Sequence, residues 1–163
     1  MQVIIGQGRD GRMMNRMPDA YANLQGGPQN PNLRGRTVFY RQPQGTLVIA
    51  DVSGLPAQNG QESVLGFHIH EGTACTGTKE DPFQATGGHL NPSGQPHPFH
   101  MGDLPPLFAH DGEAWMAVHC GRFQVEDILG HTLVVHGMPD DFTSQPAGHA
   151  GAKIACGTIL PWA

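Results

Sequence analysis

The stretch LGFHIH at residues 65–70 decides the fold class of this chain, because apolar residues alternate with histidines along it. Successive side chains of a β-strand point to opposite faces of the sheet. Phe67 and Ile69 are therefore predicted to face a core, while His68 and His70 share the opposite face. An alternation of this kind favours a strand that is buried on one side over a helix.

Glycine and proline extend this interpretation to the whole chain. The 163 residues include 23 glycines and 14 prolines, and no segment free of both exceeds eight residues. Helices of about 11–12 residues have no room in such a chain, whereas strands of about 5–6 residues fit. The predicted strands are 20–25, 37–41, 46–52, 65–70, 114–119, 123–125, 132–136 and 152–160. We therefore predict an all-β fold, an eight-stranded antiparallel Greek-key β-barrel or sandwich with long functional loops.

Length and charge limit the organisation and the partners of the chain. We expect an N-terminal arm at 1–18 and one domain at 19–163, since this length supports one core. The net charge of −5 excludes a typical nucleic-acid partner. A membrane partner is not expected either, because no apolar run approaches the roughly 20 residues of a span. The start lacks a signal-peptide pattern, which predicts a cytoplasmic protein, or a secreted or periplasmic one if a signal has been removed.

A second strand carries a histidine on the face expected for the first pair. In the predicted strand 132–136, alternation places Leu133 and Val135 towards the core and His136 outside. His68, His70 and His136 can therefore meet on the outer side of the barrel wall. Rigid strands would hold such a group in place.

The long loop at residues 71–106 carries four more residues of the metal-ligand type, and loops of this length tend to be functional. They are His89, His97, His100 and Asp103. Three imidazoles and one carboxylate suit tetrahedral zinc, and imidazole-rich sets also suit copper. Each motif alone has an ordinary structural interpretation, but the whole series predicts a copper ion beside a second cation, zinc. The histidines that fit no ligand pattern are His110, His119, His131 and His149.

These motifs together resemble the bacterial type of the copper/zinc superoxide dismutase family, with a shortened zinc loop, over about residues 19–159. The resemblance also covers KIACG at 153–157 and the aspartates of PDD at 139–141. It implies that four histidines bind copper: His68, His70, His89 and His136. It implies zinc ligands at His89, His97, His100 and Asp103, so that His89 bridges the two ions.

The resemblance assigns further residues around these ions. It implies that Asp140 links His68 to His97, and that Cys75 and Cys156 form a disulfide. Three cysteines allow at most one intrachain disulfide and leave one thiol. Cys120 is expected to be a small buried strand residue.

The implied activity is conversion of superoxide to dioxygen and hydrogen peroxide by copper redox cycling, with zinc as the structural partner. The resemblance gives His89 the delivery of a proton and gives Lys153 the attraction of the anion. Lys153 stands where the family usually has arginine, so the charge is kept and the planar fork is lost. Only Pro98 and Phe99 separate His97 from His100, where many members have a longer segment.

Two alternatives stay open from the residues. One is a copper-only superoxide dismutase, and the other is a non-catalytic copper-binding protein. A homodimer and a copper chaperone are also left open as partners.

Overall fold

The computed structural model describes residues 16–163. Its elements are β1 (Ala20–Gly26), β2 (Arg34–Gln42), β3 (Gly45–Ser53), β4 (Glu62–Leu65), β5 (Phe67–His70), a 3-10 turn (Gln84–Thr86), β6 (Leu107–His110), β7 (Glu113–Cys120), α1 (Val125–Ile128), β8 (Thr132–His136) and β9 (Lys153–Pro161). The predicted all-β class is confirmed. The described part of the chain has nine strands, so the expected count of eight was wrong by one.

All nine strands belong to one antiparallel sheet that closes almost completely. Their order is β4-β6-β7-β3-β2-β1-β9-β8-β5. The edge strands β4 and β5 follow each other in the chain and are joined only by Gly66, so the two edges of the sheet meet there. The pairing of β1 with β9 and of β3 with β7 requires long connections of the Greek-key kind.

The strand predictions failed where long-range pairing decided the structure. The predicted strand 65–70 is divided at Gly66, because β4 pairs with β6 and β5 pairs with β8. Strand β6 was not predicted. The predicted strand 123–125 is wrong, since Val125 begins α1 instead. At that helix start, the Gln124 N–H donates to Asp127 Oδ2 over 2.9 Å, which completes the helix N-terminus.

The core lies behind the histidine-bearing strands, as the alternation predicted. Phe67 pairs with Val135, and Ile69 pairs with Leu133. All four side chains are fully buried in the main hydrophobic cluster. Burial of each such side chain contributes about 1.5–3 kcal/mol. These contacts fix β5 and β8 to each other, with their histidines on the face of the sheet that points away from the core.

Two regions outside the strands were predicted from the sequence, the long loop and the N-terminal arm. Residues 71–106 contain only the 3-10 turn, which confirms the predicted long loop. Most of the arm expected at 1–18 lies outside the described residues, and the domain bounds of 19–163 stay a prediction. Arg16 donates hydrogen bonds to Asp19 Oδ2 and Arg41 O. Within residues 16–163, no helix is long and apolar enough to cross a membrane.

Candidate metal centre

Seven buried side chains form two groups of ligand atoms, and within each group these atoms lie within 4.8 Å of one another. The first group is His68, His70, His89 and His136; the second is His89, His97, His100 and Asp103. His89 belongs to both. The first group combines three strand histidines with one from the long loop, and the second lies entirely on that loop.

Hydrogen bonds set the tautomers of two strand histidines. His70 Nδ1 donates to Gly87 O over 3.0 Å, and His136 Nδ1 donates to Gly151 O over 3.2 Å. Because a carbonyl oxygen only accepts, each Nδ1 carries the hydrogen and each Nε2 keeps a lone pair. The two Nε2 atoms lie 3.1 Å apart. Two lone pairs that face each other this closely are suited to a shared cation.

Burial keeps both of these rings neutral. It lowers the pKa of His70 to about 2, with help from the neighbouring His136 and His89. Burial likewise lowers the pKa of His136 to about 3, followed by the effect of His68. Neutral imidazole is the form that binds metals, so both rings have ligand atoms available at neutral pH.

Asp140 ties the two groups together from outside. Its Oδ2 accepts from His68 Nε2 over 2.8 Å, and its Oδ1 accepts from His97 Nε2 over 2.8 Å. Burial raises the pKa of Asp140, but the hydrogen bonds from His68, the Phe142 N–H and His97 outweigh this effect and lower it overall. The carboxylate therefore stays ionised and directs the Nδ1 lone pairs of both histidines towards the two groups.

Asp103 occupies the middle of the second group. Its Oδ1 lies 2.7 Å from His89 Nδ1, and its Oδ2 lies 3.1 Å from His97 Nδ1 and 3.3 Å from His100 Nδ1. Burial raises the pKa of Asp103, but the hydrogen bond from His89 and the electrostatic effect of the nearby His89, His97 and His100 rings lower it overall. The shortened loop thus brings His97 and His100 to the same carboxylate.

Unpartnered atoms test whether metal ions fit these groups. Within residues 16–163, three buried ring nitrogens lack a hydrogen-bond partner: His68 Nδ1, His89 Nε2 and His97 Nδ1. An unsatisfied buried polar atom costs about 1–3 kcal/mol, and a bound cation would satisfy all three. The all-imidazole group suits copper, and the group of three imidazoles and a carboxylate suits zinc. The donor sets therefore fit both ions.

Lys153 lies beside the first group. Its Nζ donates to Gly87 O over 3.1 Å and to Phe83 O over 3.3 Å. It also lines a surface cavity of about 290 Å³ together with Glu80 and Asp81. A cation and two carboxylates thus line one surface cavity.

The cysteines and the remaining histidines lie outside the two groups. Cys75 and Cys156 form the expected disulfide, which packs against Phe83 and Val134. Cys120 ends β7 and is half-buried rather than buried as expected, and burial raises the pKa of its thiol. The histidines that belong to neither group are His110, His119, His131 and His149.

Two residues near the second group were missed from the sequence. Gln145 bonds the backbone of His97 in both directions: its Oε1 accepts from His97 N over 2.9 Å, and its Nε2 donates to His97 O over 2.7 Å. Gly148 has a φ of +65°, and a Cβ there would overlap Asp140 Oδ1 and lie 2.7 Å from His97 Nε2. Neither role has a local sequence signal, because the contacts of both residues with His97 span about 50 positions.

The chain is similar in sequence to known proteins. The family model described as copper/zinc superoxide dismutase (SODC) matches residues 33–159. The Cu-Zn superoxide dismutase 2 of Aquifex aeolicus is 33% identical over 140 residues, which are 77% of this chain and 78% of that protein. The Cu-Zn superoxide dismutase of Neisseria meningitidis is 35% identical over 149 residues, 81% of this chain and 77% of that protein.

Solved structures give the same result. The Cu/Zn superoxide dismutase from Brucella abortus has a TM-score of 0.73 and 29% identity, and the match covers 86% of this chain and 99% of that one. The chain belongs to the copper/zinc superoxide dismutase family.

Proposed function

We propose that this protein converts superoxide to dioxygen and hydrogen peroxide, with copper held by the first group and zinc by the second. The observation that carries the proposal is the position of His89. Its Nδ1 lies in the second group, 2.7 Å from Asp103 Oδ1, while its Nε2 is buried without a partner in the described structure. One imidazole ring can therefore serve both ions.

When bound, copper supplies one-electron oxidation and reduction of superoxide, and zinc supplies a redox-silent positive charge. The chain supplies the geometry. His68, His70 and His136 project from strands β5 and β8, which the core holds together. Rigid elements of this kind keep a ligand set in place more precisely than loops do.

His89 and Lys153 are the residues that act on the substrate. His89 Nε2 is the atom that would hold a proton and pass it to the reduced substrate, while Asp103 orients the ring through Nδ1. Lys153 Nζ bonds the same Gly87 carbonyl as His70, so it presents a positive charge beside the first group, where it favours the approach of an anion.

The second group favours zinc binding over the copper-only alternative. All four of its side chains are buried, and Asp140 orients the His97 ring. Without a bound ion, this set of four buried ligands would leave polar atoms unsatisfied. The shortened loop is therefore compatible with zinc.

Metal reconstitution tests the proposal. Metal-free protein loaded with copper and zinc is expected to hold one of each per chain and to dismutate superoxide. His136→Ala should lose copper and activity but keep zinc, and His100→Ala should lose zinc. His149→Ala, at an exposed histidine, is the control.

Two outcomes would contradict parts of the proposal. Full metal content without activity would make the chain a copper-handling protein. Stoichiometric zinc in both His97→Ala and His100→Ala would refute the zinc ligands. Self-association and copper delivery by a chaperone stay predictions, which sedimentation velocity and copper-transfer measurements would test.

A further inference from the structure

Arg122 contacts the loop that carries the second metal group. One of its nitrogens, Nη1, lies 2.9 Å from Pro98 O, 3.1 Å from His100 O and 3.2 Å from Asp103 O. Three carbonyls from a segment of six residues therefore converge on a single charged donor. Two of the three carbonyls belong to residues of the second group.

The barrel wall fixes the position of Arg122. Arg122 follows β7, and the next residue, Phe123, is buried in the main core at 2% exposure. The Phe123 carbonyl accepts a hydrogen bond from the buried Thr46 hydroxyl over 3.1 Å. The backbone that carries Arg122 is thus anchored in the core, while its side chain reaches outward to the loop.

We propose that Arg122 is a positioning residue for the second group, and that it holds the shortened loop in the shape that presents His100 and Asp103 to one ion. The identification of that ion as zinc rests on the function proposed above. A charged donor makes stronger hydrogen bonds to carbonyls than a neutral donor does. The loop segment is short and offers few contacts of its own. The hydrogen bonds from Arg122 therefore restrict its conformations before the metal binds.

The charge of Arg122 has an opposing effect. A guanidinium repels a nearby cation, and this alone would make zinc leave faster from the native protein than from a neutral variant. Because Arg122 is exposed, solvent and salt screen this repulsion. We therefore expect the ordering of the loop to outweigh the repulsion, so that loss of Arg122 speeds the release of zinc.

The test measures how fast a chromogenic chelator takes zinc from the fully metallated protein. Three variants are compared with the native protein. Arg122→Met should release zinc at least about tenfold faster than the native protein, a typical loss for residues that orient ligands. Arg122→Lys should stay close to native, because an ammonium carries three donors for the three carbonyls. Arg34→Met removes the same charge from an exposed position on β2 and should have no effect.

A spectroscopic measurement separates positioning from general stability. Cobalt(II) placed in the second group reports its ligand geometry through visible absorption bands. Arg122→Met should change these bands, whereas Arg122→Lys and Arg34→Met should not. A lower melting temperature of Arg122→Met with native release rates and native bands would overturn the proposal, as would slower release.

The test also distinguishes this proposal from the proposed function. Native protein that binds zinc but does not dismutate superoxide would refute the function, and the release rates would still decide the role of Arg122. Native protein that is active with copper but holds no zinc would overturn the role of Arg122 and leave the dismutase function standing.

Discussion

Lys153 Nζ donates a hydrogen bond to Gly87 O over 3.1 Å. The same carbonyl accepts from His70 Nδ1 over 3.0 Å. The Gly87 oxygen therefore positions both His70, a ligand of the first group, and the Lys153 ammonium beside it. This shared contact links the orientation of the proposed copper ligand to the position of the Lys153 charge.

Replacement of Lys153 should change both the rate and the anion affinity. Lys153→Arg supplies a planar fork with two donors, so kcat/KM should rise a few-fold to tenfold (about 1 kcal/mol) and azide should bind more tightly. Lys153→Met should lower kcat/KM and weaken its salt dependence. Steady-state rates at several ionic strengths and azide titrations measure these effects. Unchanged rate and azide affinity in Lys153→Arg would contradict the prediction.

Glu80 should slow the approach of superoxide, because its carboxylate lines the same cavity as Lys153. Glu80→Gln removes a like charge near the path of the anion, and we expect kcat/KM to rise by about twofold at low ionic strength. High salt should abolish the difference. Glu113→Gln, on β7 away from the cavity, is the matched control and should leave the rate unchanged. An equal rise in both variants would point to net charge alone.

Gly148→Ala should disrupt the second group, because the added Cβ would overlap Asp140 Oδ1 and crowd His97 Nε2. We expect zinc affinity to fall by about tenfold or more, as when a ligand-orienting residue is lost. Gly60→Ala is a close control, since Gly60 has a similar φ of +66° and no neighbour within 4 Å of the added Cβ. The same loss of zinc in both variants would assign the effect to backbone strain rather than to the contact with Asp140.

Removal of the disulfide should lower the free energy of unfolding. Cys75 and Cys156 close a span of 81 residues, for which loop entropy gives about 4–5 kcal/mol. Urea denaturation of the Cys75→Ser, Cys156→Ser double variant measures the loss. Cys120→Ser, which removes the free thiol and leaves the disulfide, should cost much less. A double variant as stable as the native protein would show that the disulfide does not restrict the unfolded chain.

The metal-free protein should lose stability as the pH falls below about 6.5. The pKa of His70 is lowered to about 2 and that of His136 to about 3, whereas both are near 6.5 in the unfolded chain. Below pH 6.5 the unfolded state therefore binds more protons than the folded state, and protonation favours unfolding. Each histidine contributes a slope of up to about 1.4 kcal/mol per pH unit until the pH approaches its folded pKa.

Chemical denaturation of the metal-free protein between pH 7 and pH 4 measures this slope. His136→Ala should reduce the slope, and His149→Ala should leave it unchanged, since the His149 side chain is 80% exposed. A stability that is constant across this range would mean that the buried histidines are protonated in the folded state.

Local patterns in the chain were enough to predict the class of fold and the proposed ligands. Alternation along 67–70 and 132–136 placed three histidines on one face, because the period of two in a strand is a local property of the backbone. The spacing of glycine and proline excluded long helices for an equally local reason. The ligand-type residues of the long loop were also recognisable, since their chemical identities form a characteristic order.

The residues that support the site became identifiable from the folded chain alone. Arg122 contacts Asp103 across 19 positions, Gln145 contacts His97 across 48 positions, and Gly148 lies close to both Asp140 and the distant His97. The division of the predicted strand at Gly66 likewise depends on β4 and β5 pairing with different strands. Such contacts depend on where the closed sheet brings distant backbone together, and no local pattern in the chain encodes that position.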